Sequence, residues 1–333
     1  MSPYPQPLAR PLFILSLLFT APTFAQNSSI YFGIDNDSIV TTDQDYTNGV
    51  FISYTNDFDI SHDSIFNALP GTDFDASPNG DTLHRFNIEL GQKMWTPKDI
   101  ENPDPVPGER PYAGLLYLSS TLYAIKPDSI NSYSLMFGTM GPNSYAEQGQ
   151  KFVHSIIKSD DPQGWDNQIS NQVVLNLNYQ RNDKWYESSV SGSTTHELST
   201  QGRIMAGNFR SELAGGAMWR WGSNLGSSFG SAKVNNESSI DPGLIIRSKS
   251  GWYLYSGLEG RFRFNDITIE GDRPDDGITA SEVEHLQATV TAGVLGYYRG
   301  WGASLAVSTK TRDYREDPRS FHTNGSLALF WLF

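Results

Sequence analysis

The chain has no cysteine. That excludes a disulfide-stapled secreted fold, thiolate metal sites and thiol nucleophiles. Charge is also scarce: Asp, Glu, Lys and Arg make up 18% of 333 residues, and the net charge is −13. So acidic a chain argues against nucleic acid as a partner. Beyond the N-terminus no apolar run approaches the roughly 20 residues that a membrane-spanning helix needs. A serine triad is unsupported.

Aromatic residues are abundant at 13%, with 30 glycines. Low charge, many aromatics and no spanning helix suit a β-barrel whose apolar residues face lipid and whose lumen is polar. Residues 1–25 read as a secretory signal. Arg10 supplies the positive region, Pro11 to Thr20 the apolar region and Ala21 to Ala25 the small-residue end. Residues 26–333 are then expected to form one domain.

Period-2 alternation recurs along that domain. Ile30, Phe32 and Ile34 alternate with Tyr31, Gly33 and Asp35. Leu286, Ala288, Val290, Ala292 and Val294 alternate with Gln287, Thr289, Thr291 and Gly293. Several runs reach the roughly 9–11 residues of a tilted membrane-spanning strand. Twelve runs begin near Ser28, Thr47, Leu83, Tyr112, Ser132, Asn171, Trp185, Gly202, Trp252, Ser281, Trp301 and Phe321, with turn signals at Lys126-Pro127-Asp128, Asn182-Asp183 and Arg299-Gly300. The expected fold is all-β, a 12-stranded antiparallel transmembrane β-barrel with both termini on the periplasmic side. Asp59 to Thr82 and Gly222 to Gly251 are long for periplasmic turns, and the second has room for a further hairpin. The final strand ends Leu327, Leu329, Trp331 and Phe333 on one face, resembling the terminal signal read by the barrel insertion machinery. Trp95, Trp185, Trp252, Trp301 and Trp331 lie near strand ends, where interfacial girdles form.

One segment breaks the alternation. Ser144 to Lys158 lacks proline, and its apolar residues recur at helical spacing: Phe152 with Ile156, Val153 with Ile157. It is expected to be a short amphipathic helix in an outward loop. Gln150 and His154 are four apart and share a face, so Gln150 could orient the imidazole; a helix-surface histidine touching nothing is the alternative. A second cluster lies in the first hairpin, where Asn36, Asp37, Asp43, Asp45, Thr47 and Asn48 crowd one connection. Parity points Asp37 and Thr47 inward at the outer rim and gives Asn36 the opposite face. Oxygen donors so gathered suit a hard cation, but Asn and Asp also make turns, and Asn-Gly is a common hairpin dipeptide.

The pattern ND…DYTNG in that hairpin, then GERPYAG from Gly108 to Gly114, then Gly141-Pro142, Gln150, His154, Trp165 and Gln168-Ile169, resembles the outer-membrane lipid A 3'-O-deacylases, the LpxR family. The resemblance covers about Ile30 to Ile169. It implies a twelve-stranded barrel in the outer membrane, its active site facing outward. The implied reaction is calcium-dependent removal of the ester-linked 3'-acyloxyacyl chain of lipid A in lipopolysaccharide. It implies His154 as general base on a water, Asn36 and Gln150 as catalytic partners, and Asp37 and Thr47 as Ca²⁺ ligands. The family's second outer loop carries basic residues suited to lipid A phosphates. Here that loop has four acids and three prolines between Lys98 and Arg110, and these two cations are the expected substrate contacts. The rival readings are an outer-membrane phospholipase and a non-catalytic porin-like or structural barrel.

Overall fold

The computed structural model describes residues 28–37, 45–58, 69, 82–234, 237–274 and 281–333. The expected signal segment, Asp43 and most of the 59–82 connection lie outside them. The described strands are β1 (Ser29–Asn36), β2 (Asp45–Asp57), β3 (Leu83–Thr96), β4 (Ala113–Ile125), β5 (Ser129–Met140), β6 (Gln172–Ser191), β7 (Thr194–Gly207), β8 (Arg210–Ser223), β9 (Gly251–Asp266), β10 (Leu286–Tyr298), β11 (Trp301–Thr311) and β12 (Phe321–Leu332). Each pairs antiparallel with its neighbours, and β1 closes on β12 from Ser29↔Leu332 to Asn36↔Gly325. Ser28 and Phe333 exchange backbone hydrogen bonds of 2.9 Å, which sets both chain ends at one end of the barrel. Helix α1 (Ala146–Ile157) stands between β5 and β6 at the opposite rim.

Alternation explains the wall. Ile30, Phe32, Ile88, Leu90, Leu254 and Leu258 are exposed on its outside, while Tyr31, Asp35, Asn87, Tyr253, Tyr255 and Glu259 are buried within. An apolar exterior over a polar interior is what a bilayer imposes on a closed barrel. Closure also removes the bare edge that the apolar β12 would otherwise present. Trp301 and Trp331 stack outside at 5.3 Å near the chain ends, and Trp185 and Trp252 are exposed. Trp95 departs from the expected girdle: it is wholly buried, 5.7 Å from the Tyr46 ring and beneath the Arg210 guanidinium at 5.3 Å.

Two strand boundaries differ from expectation. Asn182 and Asp183 do not turn; they lie inside the 20-residue β6, paired with Ile130 and Ser129. The chain reverses at Gly192, whose φ of +59° favours glycine. The runs expected to begin near Trp185 and Gly202 lie inside β6 and β7, and the chain passes from β7 to β8 at Asn208-Phe209.

Among its described residues the connection from β8 to β9 holds no barrel strand. It begins at the chain-end side and folds up inside the lumen. Arg85 donates to the Gly243 carbonyl, Tyr123 Oη to Asp241 at 2.7 Å, and Lys93 Nζ to Glu237 at 2.7 Å. A polar cavity of about 200 Å³ remains between this segment and the wall. Arg220 anchors the root of the segment. Its guanidinium binds both carboxylate oxygens of Glu197, at 2.9 and 2.7 Å, and donates to the Ser228 and Leu225 carbonyls at 2.6 and 3.0 Å. Truncation strands a buried carboxylate, so Arg220→Ala is expected to destabilise the barrel by about 3–5 kcal/mol. The check is the temperature at which the compact, heat-modifiable electrophoretic band is lost; an unchanged temperature contradicts the anchoring role.

Candidate active site

Helix α1 lies against the outside of the wall, not over the lumen. Gln92 Nε2 donates to the Ser144 carbonyl at 2.7 Å, and Met94, Ile100, Tyr112, Ala146 and Trp165 form a small core between wall, loops and helix. The motif residues make this seat. A Cβ on Gly114 would lie 2.2 Å from Ser144 Oγ and 2.4 Å from the Ala146 Cβ, so only glycine admits the helix start. Gly141 turns the chain into the loop at φ +91°, its N–H on the Gly114 carbonyl at 2.8 Å. Tyr112 packs on Trp165 at 4.8 Å and donates to the Ile100 carbonyl at 3.0 Å.

Trp165 in turn fixes Gln150. The indole Nε1–H donates to Gln150 Oε1 at 2.8 Å, and the amide Nε2 is buried without a hydrogen-bond partner among the described residues. His154 is 8% exposed, with Nδ1 2.5 Å from the Asp160 carbonyl. A carbonyl only accepts, so Nδ1 carries the hydrogen and a neutral ring leaves Nε2 bare to take a proton. The imidazole is therefore oriented by Asp160, six residues on, and not by Gln150 as helical spacing suggests. The left-handed Lys158, φ +58°, turns the chain back for that contact.

Between α1 and the wall runs an open apolar groove of about 440 Å³. Phe32, Val50, Ile52, Leu90 and Leu116 line the barrel side and Phe152 and Val153 the helix side, with Asn48, Gln92 and Gly149 among its polar and small members. It is continuous with the lipid-facing surface, because those wall residues are the outward positions of β1 to β4. Sequence reading missed it: alternation marks outward residues but not which of them a distant helix covers.

The hairpin residues sit at the rim of this wall. Asn36 ends β1 half-exposed on its outer face, paired with Asn48, which lines the groove. Its parity, opposite to the lumen, is thus the parity shared with the groove. Asp37 is buried and follows directly. The β1–β2 ladder ends at the Asn36–Asn48 pair, and Asp37 and Thr47 are the residues that follow and precede it on the two strands. The β2–β3 register slips between Tyr46 and Asn48. That bulge breaks simple alternation: Tyr46 reaches Asp35 inside the barrel at 3.1 Å, while the Thr47 hydroxyl shares a 2.7 Å hydrogen bond with Thr96. Among the described residues no three His, Asp or Glu side chains gather at metal-binding spacing. The Asp37 carboxylate and the Thr47 and Thr96 hydroxyls are oxygen donors, the kind a hard divalent cation takes, with carbonyls and water completing its shell.

Lys98 and Arg110 differ in exposure. Lys98 is exposed, its backbone N–H on Glu109 at 3.0 Å. Arg110 is 2% exposed; it donates to Thr268 at 2.9 Å and lies 3.7 Å from Asp313. Of the two cations expected to contact substrate, Lys98 is the exposed one and Arg110 the buried one. Burial would raise the Asp313 carboxyl, but Lys310, Arg263 and Arg110 outweigh it and hold the group well below its ordinary range.

A family model described as "Outer membrane protein LpxR" matches residues 12–333. No curated protein sequence matches the chain. Among solved structures, LpxR from Salmonella typhimurium superposes with a TM-score of 0.77 at 15% identity, covering 92% of this chain and 100% of its own. The β domain of the Bordetella autotransporter BrkA gives a TM-score of 0.46 at 8% identity, covering 92% of this chain and 99% of its own.

Proposed function

The chain belongs to the LpxR family of outer-membrane proteins, and on that premise we propose that it is a calcium-dependent esterase that removes the 3'-O-linked acyloxyacyl chain of lipid A. The observation that carries the reading is the groove. An apolar channel open to the bilayer, with His154 on the helix that forms one bank, suits an ester whose acyl chains lie in the same leaflet. A solute carrier or porin would instead want an open lumen, and here the lumen holds the β8–β9 segment. The chain ends are then periplasmic and the α1 rim faces outward, where the head groups of lipopolysaccharide lie.

The chemistry follows from the side chains. A water beside Nε2 of His154 gives it a proton and attacks the ester carbonyl; such general-base help contributes roughly 10²–10⁴-fold. The free amide hydrogens of Gln150 Nε2 and the side chain of Asn36 donate to the oxyanion of the tetrahedral intermediate. Collapse expels the sugar alkoxide, which recovers the proton from the imidazolium. Asp37 and Thr47 would hold Ca²⁺, which when bound supplies Lewis-acid stabilisation of charge on the ester oxygen. Lys98 is the cation left to meet a lipid A phosphate. Residues 1–25 would serve as the export signal.

Mass spectrometry of lipid A from cells with and without the protein tests the reading. The expected result is loss of one acyloxyacyl unit, abolished by a divalent-cation chelator and restored by Ca²⁺. Unchanged lipid A from cells holding folded protein at the surface sinks it. Inactivation by a serine-directed phosphonate favours a phospholipase instead.

A further inference from the structure

Asn36, Thr47 and Thr96 at the outer rim each follow a residue held inside the barrel, and those inner residues form one connected structure. Asp35 precedes Asn36, Tyr46 precedes Thr47, and Trp95 precedes Thr96. Asp35 Oδ2 accepts from Tyr46 Oη at 3.1 Å and from the backbone N–H of Ser238 at 2.7 Å. Ser238 is at the tip of the luminal β8–β9 segment, in the left-handed region at φ +65°. That strained conformation aims its N–H at the wall. The adjoining Glu237 binds Lys93 of β3 at 2.7 Å and Arg210 of β8 at 2.6 Å, and Arg210 lies over the Trp95 ring. Glu237 is buried, and although burial would raise its carboxyl, Arg210 and Lys93 hold it well below the ordinary range, so it stays an anion between them. Three neighbouring strands are thus tied from within beside Asn36, Thr47 and Thr96.

We propose that Asp35 and the tip of the luminal segment are positioning elements for the outer-rim site. The segment acts as an internal strut that crosses the lumen from the chain-end side and fixes the β1–β2–β3 rim from behind. The physical basis is the stiffness of an alternating strand. A residue held on the inner face sets the backbone, and with it the direction of the next side chain on the outer face. Reactive geometry is sensitive at this scale, since a displacement of about 1 Å costs on the order of 10²-fold in rate. Asp35 touches no reacting atom, and its role is exerted through Tyr46 and the rim backbone. The proposal rests on the deacylase reading for its activity readout, and on Ca²⁺ affinity for a readout independent of it.

The test uses full-length protein refolded in detergent, with Asp35→Ala, Asp35→Asn and Tyr46→Phe. Heat-modifiable migration reports the barrel, turnover of purified lipid A gives kcat and KM, and calorimetric titration with CaCl2 gives affinity. Asp35→Ala is expected to keep the folded band, lower kcat about 10- to 100-fold with KM within about twofold, and weaken Ca²⁺ about tenfold. Asp35→Asn keeps an oxygen acceptor in the same place and is expected to recover most of the loss. Should Asp35→Ala not fold, Tyr46→Phe, which loses only the hydroxyl, reads the same contact with a smaller drop. A folded Asp35→Ala or Tyr46→Phe with wild-type kcat and Ca²⁺ affinity overturns the proposal. If wild type binds Ca²⁺ but leaves lipid A intact, the deacylase reading fails, and Ca²⁺ affinity alone decides the strut. Wild type that does neither overturns both.

Discussion

His154→Ala is expected to leave a folded barrel that no longer deacylates lipid A, with turnover down roughly 10²–10⁴-fold. The expectation is sharp because the substitution removes little else. Alanine is the best helix former, so α1 keeps its backbone. The helix is seated through Ala146, Trp165, Tyr112 and the Gln92–Ser144 bond, none of which involves the imidazole. The ring's protein hydrogen bond that orients it runs to the Asp160 carbonyl, and losing it costs about 1 kcal/mol of local stability. Turnover measured on purified lipid A, beside the heat-modifiable band, separates chemistry from folding. Retention of more than about a tenth of wild-type turnover by a folded variant removes His154 from the mechanism, since that loss is below what a general base contributes.

Leu90→Trp is expected to cut turnover of long-chain lipid A at least about tenfold while sparing a short, soluble acyl ester. Leu90 is outward-facing, 49% exposed, and lines the groove opposite Phe152 and Val153. An indole there occupies acyl space without disturbing the lumen, and tryptophan suits a strand facing lipid. Blocking a groove lowers binding of the chain that uses it but leaves His154, Gln150 and Asn36 unaltered. Chain-length dependence is therefore the diagnostic. Equal loss on short and long esters indicates damage to the rim, and no loss on either shows that acyl chains lie elsewhere.

Much of this was legible in the residues. Outward apolar and inward polar positions on β1, β9 and β10 follow from strict alternation, because a bilayer and a polar lumen demand opposite surfaces on the two faces. The strand number, closure and helix α1 follow from the same period and its one interruption. Gln150 and His154 fall on the buried face of that helix, as their spacing requires. Internal boundaries were less legible. Asn182-Asp183 looks like a turn by residue type, yet cross-strand pairing to Ile130 and Ser129 holds it extended within β6.

Local residue patterns were enough for a closed barrel, the helix in its loop, and the residue types that hydrolysis and a hard cation need. The side of the wall on which they lie depends on long-range packing. Parity separates two faces but does not say where a loop of 31 residues between β5 and β6 returns, and it returned to the lipid side, making Asn36's parity fit and opening the groove. The bulge at Thr47 depends on pairing with β3, Arg110 and Trp95 are buried by partners far along the chain, and the luminal strut is set by ion pairs that join residues 27 and 144 positions apart. Such contacts are fixed by three-dimensional charge pairing in a low-dielectric interior, which no local period encodes.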